Sequence, residues 1–365
     1  MTDRDYMLRA IELAKGGLGW TSPNPLVGAV IVKDGRIIGE GYHERCGKLH
    51  AERNAIASLT ENAEGATLYV TLEPCCHYGK TPPCTEAILG QKIARVVIGS
   101  RDPNPLVAGK GAAILRAAGV QVEEDFMREE CDALNPVFFH YITKKTPYVV
   151  MKYAMTADGK IAARTGDSKW ITGESARKKV QELRHQYMGI MAGIGTVLAD
   201  DPMLNVRIPG LKSPVRIICD SGLRIPMDSQ LVKTAKEYRT IVAYAGECCK
   251  EAEKKAEQLH AAGVETVSVP DADGRVDLGK LMEYLGNQGI DSVLLEGGGT
   301  LNDAALSAGI VNEICAFIAP KIFGGADAKT PVSGIGVAHP AEAVKLTLRQ
   351  METIGDDLML RYSVD

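Results

Sequence analysis

His50, Glu52, Cys75 and Cys84 are the residues whose types and spacing could most directly do chemistry in this chain. One imidazole and two thiolates are three soft ligands, a set that suits a four-coordinate zinc with its last position open to water. Water held there loses its proton near neutral pH and becomes a nucleophile. Glu52 stands two residues from His50. It can sit beside that water without binding the metal and carry its proton to a substrate and then to a leaving group. Taken singly, each residue has a plainer reading, as an ordinary helix start or as buried packing. His-x-Glu, an intervening strand and Pro-Cys-x8-Cys taken together favour the metal.

Local patterns indicate the elements that must position these residues. Met7, Ala10, Ile11 and Ala14 share one face of a helix expected over residues 5–15, which Gly16-Gly17 ends. Two strands, 26–33 and 36–41, flank Asp34-Gly35, a two-residue hairpin signal. A helix over about 50–61 carries His50 and Glu52 at its start, and the β-branched strand 67–72 delivers Glu73-Pro74-Cys75. A helix follows over 83–89, with proline near its first turn. Next come a strand at 94–99, a helix at 111–118, a strand at 120–124 and a closing helix at 128–141. Strands alternating with helices argue an α/β layer architecture with a mixed sheet. Both halves of the zinc pattern then fall beyond strand ends, where open α/β sheets place ligands. The polar run Thr143 to Pro147 is the linker candidate, which divides the chain into domains 1–145 and 146–365. A second α/β series follows. Its strands are expected at 148–155, 189–192, 215–219, 240–244, 265–269, 292–295 and 313–318, with two more near the C-terminus. Its helices are expected at 174–186, 251–262, 278–285 and 301–307.

Composition narrows the function classes. The chain has 365 residues, 45% hydrophobic and 24% charged, enough for two cores and without a disordered signature. A net charge of -4, with basic residues mostly in isolated pairs, gives no bulk attraction to nucleic acid. No apolar run approaches the roughly 18 residues that span a membrane. Nine cysteines and a charged amphipathic start fit a reduced, cytoplasmic enzyme, in which clustered cysteines favour metal over disulfide.

The His-x-Glu and Pro-Cys pattern is the arrangement of the zinc-dependent nucleobase deaminases. Further stretches are more specific. Asn24 to Val30, Gly41-Tyr42-His43, Thr71 to Cys75, His77 to Cys84 and Arg101 to Pro105 resemble the bifunctional riboflavin biosynthesis deaminase–reductases. In the second half Asp158 to Ala162, Ser168 to Thr172, Gly195 to Pro202 and Glu296 to Thr300 resemble the reductase of the same family. The resemblance covers essentially the whole chain, and the eight-residue spacer between cysteines is that family's own form of the motif. Cys75, directly after Pro74, takes the ligand position. Cys76, where the family pattern usually has serine, is then read as packing, and His77 as a helix-start or surface residue.

The resemblance implies a cytidine-deaminase-like α/β/α domain followed by a dihydrofolate-reductase-like α/β domain. It implies deamination of 2,5-diamino-6-ribosylamino-4(3H)-pyrimidinone 5′-phosphate, then NADPH reduction of the ribosyl group to ribityl. Zn2+ and NADPH are the cofactors, and a homo-oligomer acting on a small phosphorylated substrate is expected. Matched positions put Asn24, His43 and Lys80 on the pyrimidine substrate. By themselves, Asn24 reads equally as a turn residue before proline and Lys80 as a solvated lysine. Ala154, Trp170, Thr196, Asp200, Ser221 and the 298–304 segment (Gly298, Gly299 and Thr300 foremost) match the NADPH contacts. Ser168, Arg184, Leu204, Arg207 and Glu296 match those of the sugar phosphate.

Residue chemistry supports part of this second site. No Gly-x-Gly-x-x-Gly opens an N-terminal βαβ unit, so a Rossmann reading fails. Gly297-Gly298-Gly299 between a strand and a helix lets backbone N–H groups approach a phosphate, although such runs are often only tight turns. Arginine's planar fork suits phosphate. Trp170, one of two tryptophans, reads equally as core. Hydride transfer needs no obligatory protein acid, so no proton donor is assigned there. A tRNA deaminase would want a basic groove, and a structural zinc a fourth protein ligand.

Overall fold

The computed structural model describes residues 1–78, 82–104, 107–246 and 250–365. They form two units, Met1–Lys145 and Thr146–Asp365.

In the first unit α1 (Asp3–Ala14) starts at a capping box between Thr2 and Asp5 and buries Met7, Ala10, Ile11 and Ala14. β1 (Gly28–Lys33) and β2 (Arg36–Tyr42) pair antiparallel. Asp34 and Gly35 between them are both left-handed (φ 49° and 72°), the backbone that a tight hairpin of this hand requires. There follow α2 (Ala51–Ala57), β3 (Thr67–Leu72), α3 (Cys84–Gly90), β4 (Arg95–Ser100), α4 (Lys110–Ala117), β5 (Gln121–Glu123), α5 (Arg128–Asp132) and α6 (Pro136–Lys144). The sheet order is β2-β1-β3-β4-β5; β1 is antiparallel to both neighbours, and β3, β4 and β5 are parallel.

Alternate side chains of these strands fill two cores. Val30, Val32, Tyr69 and Val97 pack with Met7, Ala10 and Ile11 of α1. Ala29, Ile31, Leu68, Val70, Val96 and Ile98 pack on the other face with α2, α3 and α4. This is a helix–sheet–helix sandwich whose strands must be apolar on both sides.

Two elements differ from expectation. α2 stops at Ala57 because the Ser58 hydroxyl donates to Glu40 O and accepts from Glu40 N–H, tying the chain to β2. The helix expected over 128–141 is two. Pro136 lacks an N–H, and the Asn135 side chain bonds both Leu26 N–H (2.7 Å) and Leu26 O (2.8 Å) rather than continuing a helix. α6 then runs through Lys144, so the first two residues of the expected linker, Thr143 and Lys144, are helical, and Lys145 (φ 61°) ends the helix.

The second unit contains β6 (Tyr148–Thr156), α7 (Glu174–Gln186), β7 (Gly189–Gly193), α8 (Ile194–Asp200), β8 (Val215–Cys219), α9 (Gln230–Lys233), β9 (Thr240–Tyr244), α10 (Lys250–Ala261), β10 (Glu265–Ser268), α11 (Leu278–Asn287), β11 (Ser292–Leu295), α12 (Gly299–Ser307), β12 (Val311–Ala319), β13 (Leu346–Ile354) and β14 (Asp357–Val364). Its sheet runs β10-β9-β8-β7-β11-β6-β12-β14-β13. The first seven strands are parallel, and β14 and β13 close the edge antiparallel. No helix among the described residues is long and apolar enough to cross a membrane.

Candidate active sites

Turns at strand and helix ends bring His50, Cys75 and Cys84 together. His50 is the N-cap of α2, Cys84 is the first residue of α3, and Cys75 lies just past β3. His50 Nδ1 is 3.4 Å from both the Cys75 and the Cys84 sulfur. All three ligand atoms lie within 4.8 Å of one another. Tetrahedral zinc with bonds of about 2.0 Å to nitrogen and 2.3 Å to sulfur sets N···S edges of roughly 3.5 Å. The residues present therefore fit zinc.

The cluster's electrostatics follow from its packing. The Cys84 hydrogen bond, helped by the His50 imidazole, draws the Cys75 thiol well below its ordinary value. Cys84 is pushed up by Cys75 and by burial, so the two sulfurs share one proton. A dication would draw that proton off as well. Glu52 is 3% exposed. Burial, then the Cys75 charge, pushes its carboxyl up to about 7. Cys76 and His77 lie outside the ligand cluster, and His77 is exposed.

A cavity of about 330 Å³ opens on this cluster, lined by Asn24, His43, Lys48, Glu52, Asp102 and Asn104 among others. His43 is buried, with Nδ1 2.9 Å from Leu49 O and Nε2 3.2 Å from the Asn24 amide nitrogen. That pairing takes a neutral ring with the proton on Nδ1, and burial accordingly lowers the His43 pKa. Asn24 and His43 thus form one hydrogen-bonded edge of the cavity. Lys80 lies outside the described residues. Asp102 and Asn104 carry chemistry that no residue-level reading assigned, although their stretch was part of the resemblance. Asp102 is 9% exposed, pushed up to about 6 by burial, and accepts from Asn104 N–H at 2.8 Å. The available signal was an aspartate and an asparagine flanking a proline directly after an apolar strand.

In the second unit the glycine-rich turns sit side by side. β7 and β11 are neighbours, with Leu295 opposite Met191. Gly193 and Gly298 are the N-caps of α8 and α12, and neither helix start has a side-chain cap. A Cβ added at Gly195 or Gly298 would meet open space, whereas one at Gly299 would lie 2.7 Å from Ser333 Oγ. Uncapped N–H groups at the nine-residue α12, beside those of α8, make a cradle that fits the phosphates of NADPH. Thr196 lies in α8 and Asp200 ends it, paired to Lys169 at 3.6 Å. Ala154 lies in β6, and Ser221 follows β8, its hydroxyl accepting Val276 N–H. Trp170 is 57% exposed beneath the Arg177 guanidinium, so it is not a core residue.

Glu296 leaves β11 into a charge cluster. Arg184 grips its carboxylate with two nitrogens at 2.7 and 3.0 Å, and Lys152 Nζ stands 3.5 Å away. Burial alone would raise this carboxyl, but Arg184 and Lys152 outweigh it and hold it at about 2. Arg184 also donates to Asn205 O, next to Leu204, which is buried with φ 48°. Lys152 is not legible in the sequence, because a lysine inside the apolar strand Tyr148–Thr156 gives no hint of its partner. Arg207 is not brought into this cluster: its side chain is exposed on a separate surface groove with Tyr238 and Arg239. Ser168 is half-buried two residues before Trp170.

A soft-ligand pocket beside a buried carboxylate, and a long parallel sheet with phosphate-cradling turns, define a zinc hydrolase unit joined to a nicotinamide-dependent reductase unit. Residues 1–100 match the family model of the cytidine and deoxycytidylate deaminase zinc-binding region, and residues 147–360 that of the RibD C-terminal domain. The chain is 59% identical to the riboflavin biosynthesis protein RibD of Actinobacillus pleuropneumoniae, over 100% of this chain and 96% of that protein. It is 40% identical to RibD of Escherichia coli, over 99% of each. Among solved structures, Acinetobacter baumannii RibD superposes with a TM-score of 0.87 at 37% identity, over 100% of this chain and 99% of that one. The deaminase/reductase of Thermotoga maritima gives 0.86 at 39%, over 99% and 98%. The chain belongs to the RibD family, with a cytidine-deaminase-like first unit and a dihydrofolate-reductase-like second one.

Proposed function

We propose that the chain catalyses two consecutive steps of riboflavin biosynthesis. The first unit removes the exocyclic amine of 2,5-diamino-6-ribosylamino-4(3H)-pyrimidinone 5′-phosphate by hydrolysis. The second reduces the ribosyl side chain of the product to ribityl, giving 5-amino-6-ribitylamino-2,4-pyrimidinedione 5′-phosphate. The observation that carries this reading is the three-ligand cluster, with Nδ1–sulfur separations of 3.4 Å, opening on a cavity that also holds buried Glu52.

Zinc at His50, Cys75 and Cys84 supplies Lewis acidity that makes water a nucleophile near neutral pH. Glu52 takes that water's proton and passes it to the ring nitrogen and then to departing ammonia. A carboxyl that titrates near 7 suits both transfers. Asn24 and His43 orient the pyrimidine edge. A structural zinc would take a fourth protein ligand, and among the described residues the cluster has three. In the second unit NADPH supplies the hydride. The α12 N-terminus holds its phosphates, and two cations against the one carboxylate of Glu296 leave a net positive charge for the sugar phosphate.

The chain acts as a homo-oligomer, a reading supported by Ile335, Val337, Leu348 and Met351, apolar side chains left exposed in the second unit. A cytoplasmic location fits the described cysteines, all of them free. Sedimentation tests the first statement, and a monomer at assay concentration would refute it.

A paired assay of wild type and Glu52→Gln tests the function, with metal content measured on both. The variant is expected to keep about one zinc, lose deamination by a factor on the order of 10²–10⁴, and still oxidise NADPH on deaminated substrate. A zinc-loaded wild type that performs neither reaction would refute the reading.

A further inference from the structure

Glu73 lies two residues before Cys75, is 4% exposed and lines the deaminase cavity. Its hydrogen bonds go to both ends of one segment. Its N–H donates to Ser100 O (2.9 Å), where that segment leaves β4. Its carboxylate accepts Gly109 N–H at Oε2 (2.9 Å) and Ala112 N–H at Oε1 (3.2 Å), where the segment enters α4. Between these anchors lie Asp102 and Asn104, which face the cavity. We propose that Glu73 is a positioning residue of the deaminase, clamping the segment that carries Asp102 and Asn104 to the strand end that presents Cys75. This inference rests on the deaminase reading above.

Three observations separate this role from a merely convenient contact. α4 has no cap of its own: its N-cap is Gly109, left-handed at φ 78°, with no side chain to accept the free N–H groups of the first turn. Glu73 supplies both the acceptors and the negative charge that a helix start favours. The fit is also close, since a Cβ on Gly111 would lie 2.2 Å from Pro74 O, so the first turn of α4 rests directly on the Glu73-Pro74 corner. Finally, both carboxylate oxygens are engaged by backbone N–H groups. Glu73 is therefore held in one orientation by the backbone of the first turn of α4. Inside the segment, Asp102 Oδ1 accepts Asn104 N–H, and Asn104 O accepts Val107 N–H (2.8 Å) and Ala108 N–H (2.9 Å). Asp102 is thus tied to Asn104, and Asn104 to Val107 and Ala108, and Glu73 determines where these residues sit relative to the metal ligands.

The test is steady-state deamination by the full chain as wild type, Glu73→Gln and Glu73→Asp. Zinc content and NADPH oxidation on already deaminated substrate are measured on each. Glutamine replaces one acceptor by an NH2 that faces an N–H. Aspartate keeps the charge but is one methylene too short to span Gly109 and Ala112. Loss of one charge-assisted hydrogen bond corresponds to a change on the order of tenfold. Both variants should keep zinc and reductase activity and raise KM for deamination by about that factor, more than they lower kcat, with aspartate the milder. Amide exchange at residues 109–112 should quicken in parallel. A purely structural role would lower the active fraction, and so kcat, at unchanged KM. That result, unchanged kinetics, or loss of zinc in the milder variant would overturn the proposal. A wild type that does not deaminate would refute the deaminase reading instead.

Discussion

Replacing Glu296 by glutamine swaps a buried carboxylate for a neutral side chain of the same shape, leaving Arg184 and Lys152 without their shared anion. Glu296 is held at about 2 in the fold against an ordinary value of 4.5, because Arg184 at 2.7 Å and Lys152 at 3.5 Å outweigh its burial. The side chain is 12% exposed, so solvent screens the cluster little. A carboxyl depressed from 4.5 to about 2 contributes roughly 3 kcal/mol of stability at neutral pH. Breaking a buried ion pair by removing one partner costs about 3–5 kcal/mol, and the two figures agree. The folded carboxyl is the more acidic, so its contribution is complete above pH 4.5 and is lost as pH falls through 2. Glutamine mimics the protonated carboxyl at every pH. The gap between wild type and Glu296→Gln should therefore be roughly 3 kcal/mol at pH 7 and about 2 kcal/mol at pH 3.5. Urea unfolding followed by Trp170 fluorescence in a Trp20→Phe background reads the second unit alone. A gap below about 1 kcal/mol at pH 7, or one that does not narrow with acid, would refute the reasoning.

Removing the metal with a chelator should abolish deamination and leave NADPH oxidation unchanged; parallel loss of both activities would contradict separate sites. Gly299→Ala puts a Cβ 2.7 Å from Ser333 Oγ and 2.8 Å from Thr330 O. It should raise KM for NADPH by about tenfold or more while deamination holds, as cofactor titration will show. Gly28→Ala drives a Cβ to 1.9 Å from Ala10 O, where α1 crosses the start of β1. Overpacking of this kind costs about 1–3 kcal/mol or more, so the first unit should unfold at markedly lower urea while the second is unchanged.

The parts of the fold legible in the sequence are those whose reasons are local. β3 is bounded as its β-branched run predicts, because Leu68, Val70 and Leu72 are buried on one side and Tyr69 on the other. The Asp34-Gly35 turn follows from two residues that tolerate left-handed backbone. The departures have causes that lie far along the chain. α2 ends early because Ser58 reaches Glu40 on β2, and the 128–141 helix breaks where Asn135 turns its amide to Leu26, 109 positions away. α8 is not legible because its seven residues include Gly195 and are too few for the spacing of Ile194 and Val197 to stand out as a period.

The two sites divide along the same line. All three members of the zinc cluster lie between His50 and Cys84, so a short spacing pattern specifies it, and Nδ1–sulfur separations of 3.4 Å follow from two helix starts and one strand end. The reductase cluster joins β6, α7 and β11, with Arg184 112 positions and Lys152 144 positions from Glu296. No window of sequence contains it. Matched positions alone put Glu296 on a sugar phosphate, a pairing of two anions that would repel. The structure removes the difficulty, because Lys152, unread in its apolar strand, joins Arg184 to make the cluster net positive. In the function proposed above, Glu296 orients the two cations and they face the phosphate. Removing its charge should for that reason misplace both cations and not strengthen binding, even though the site becomes more positive.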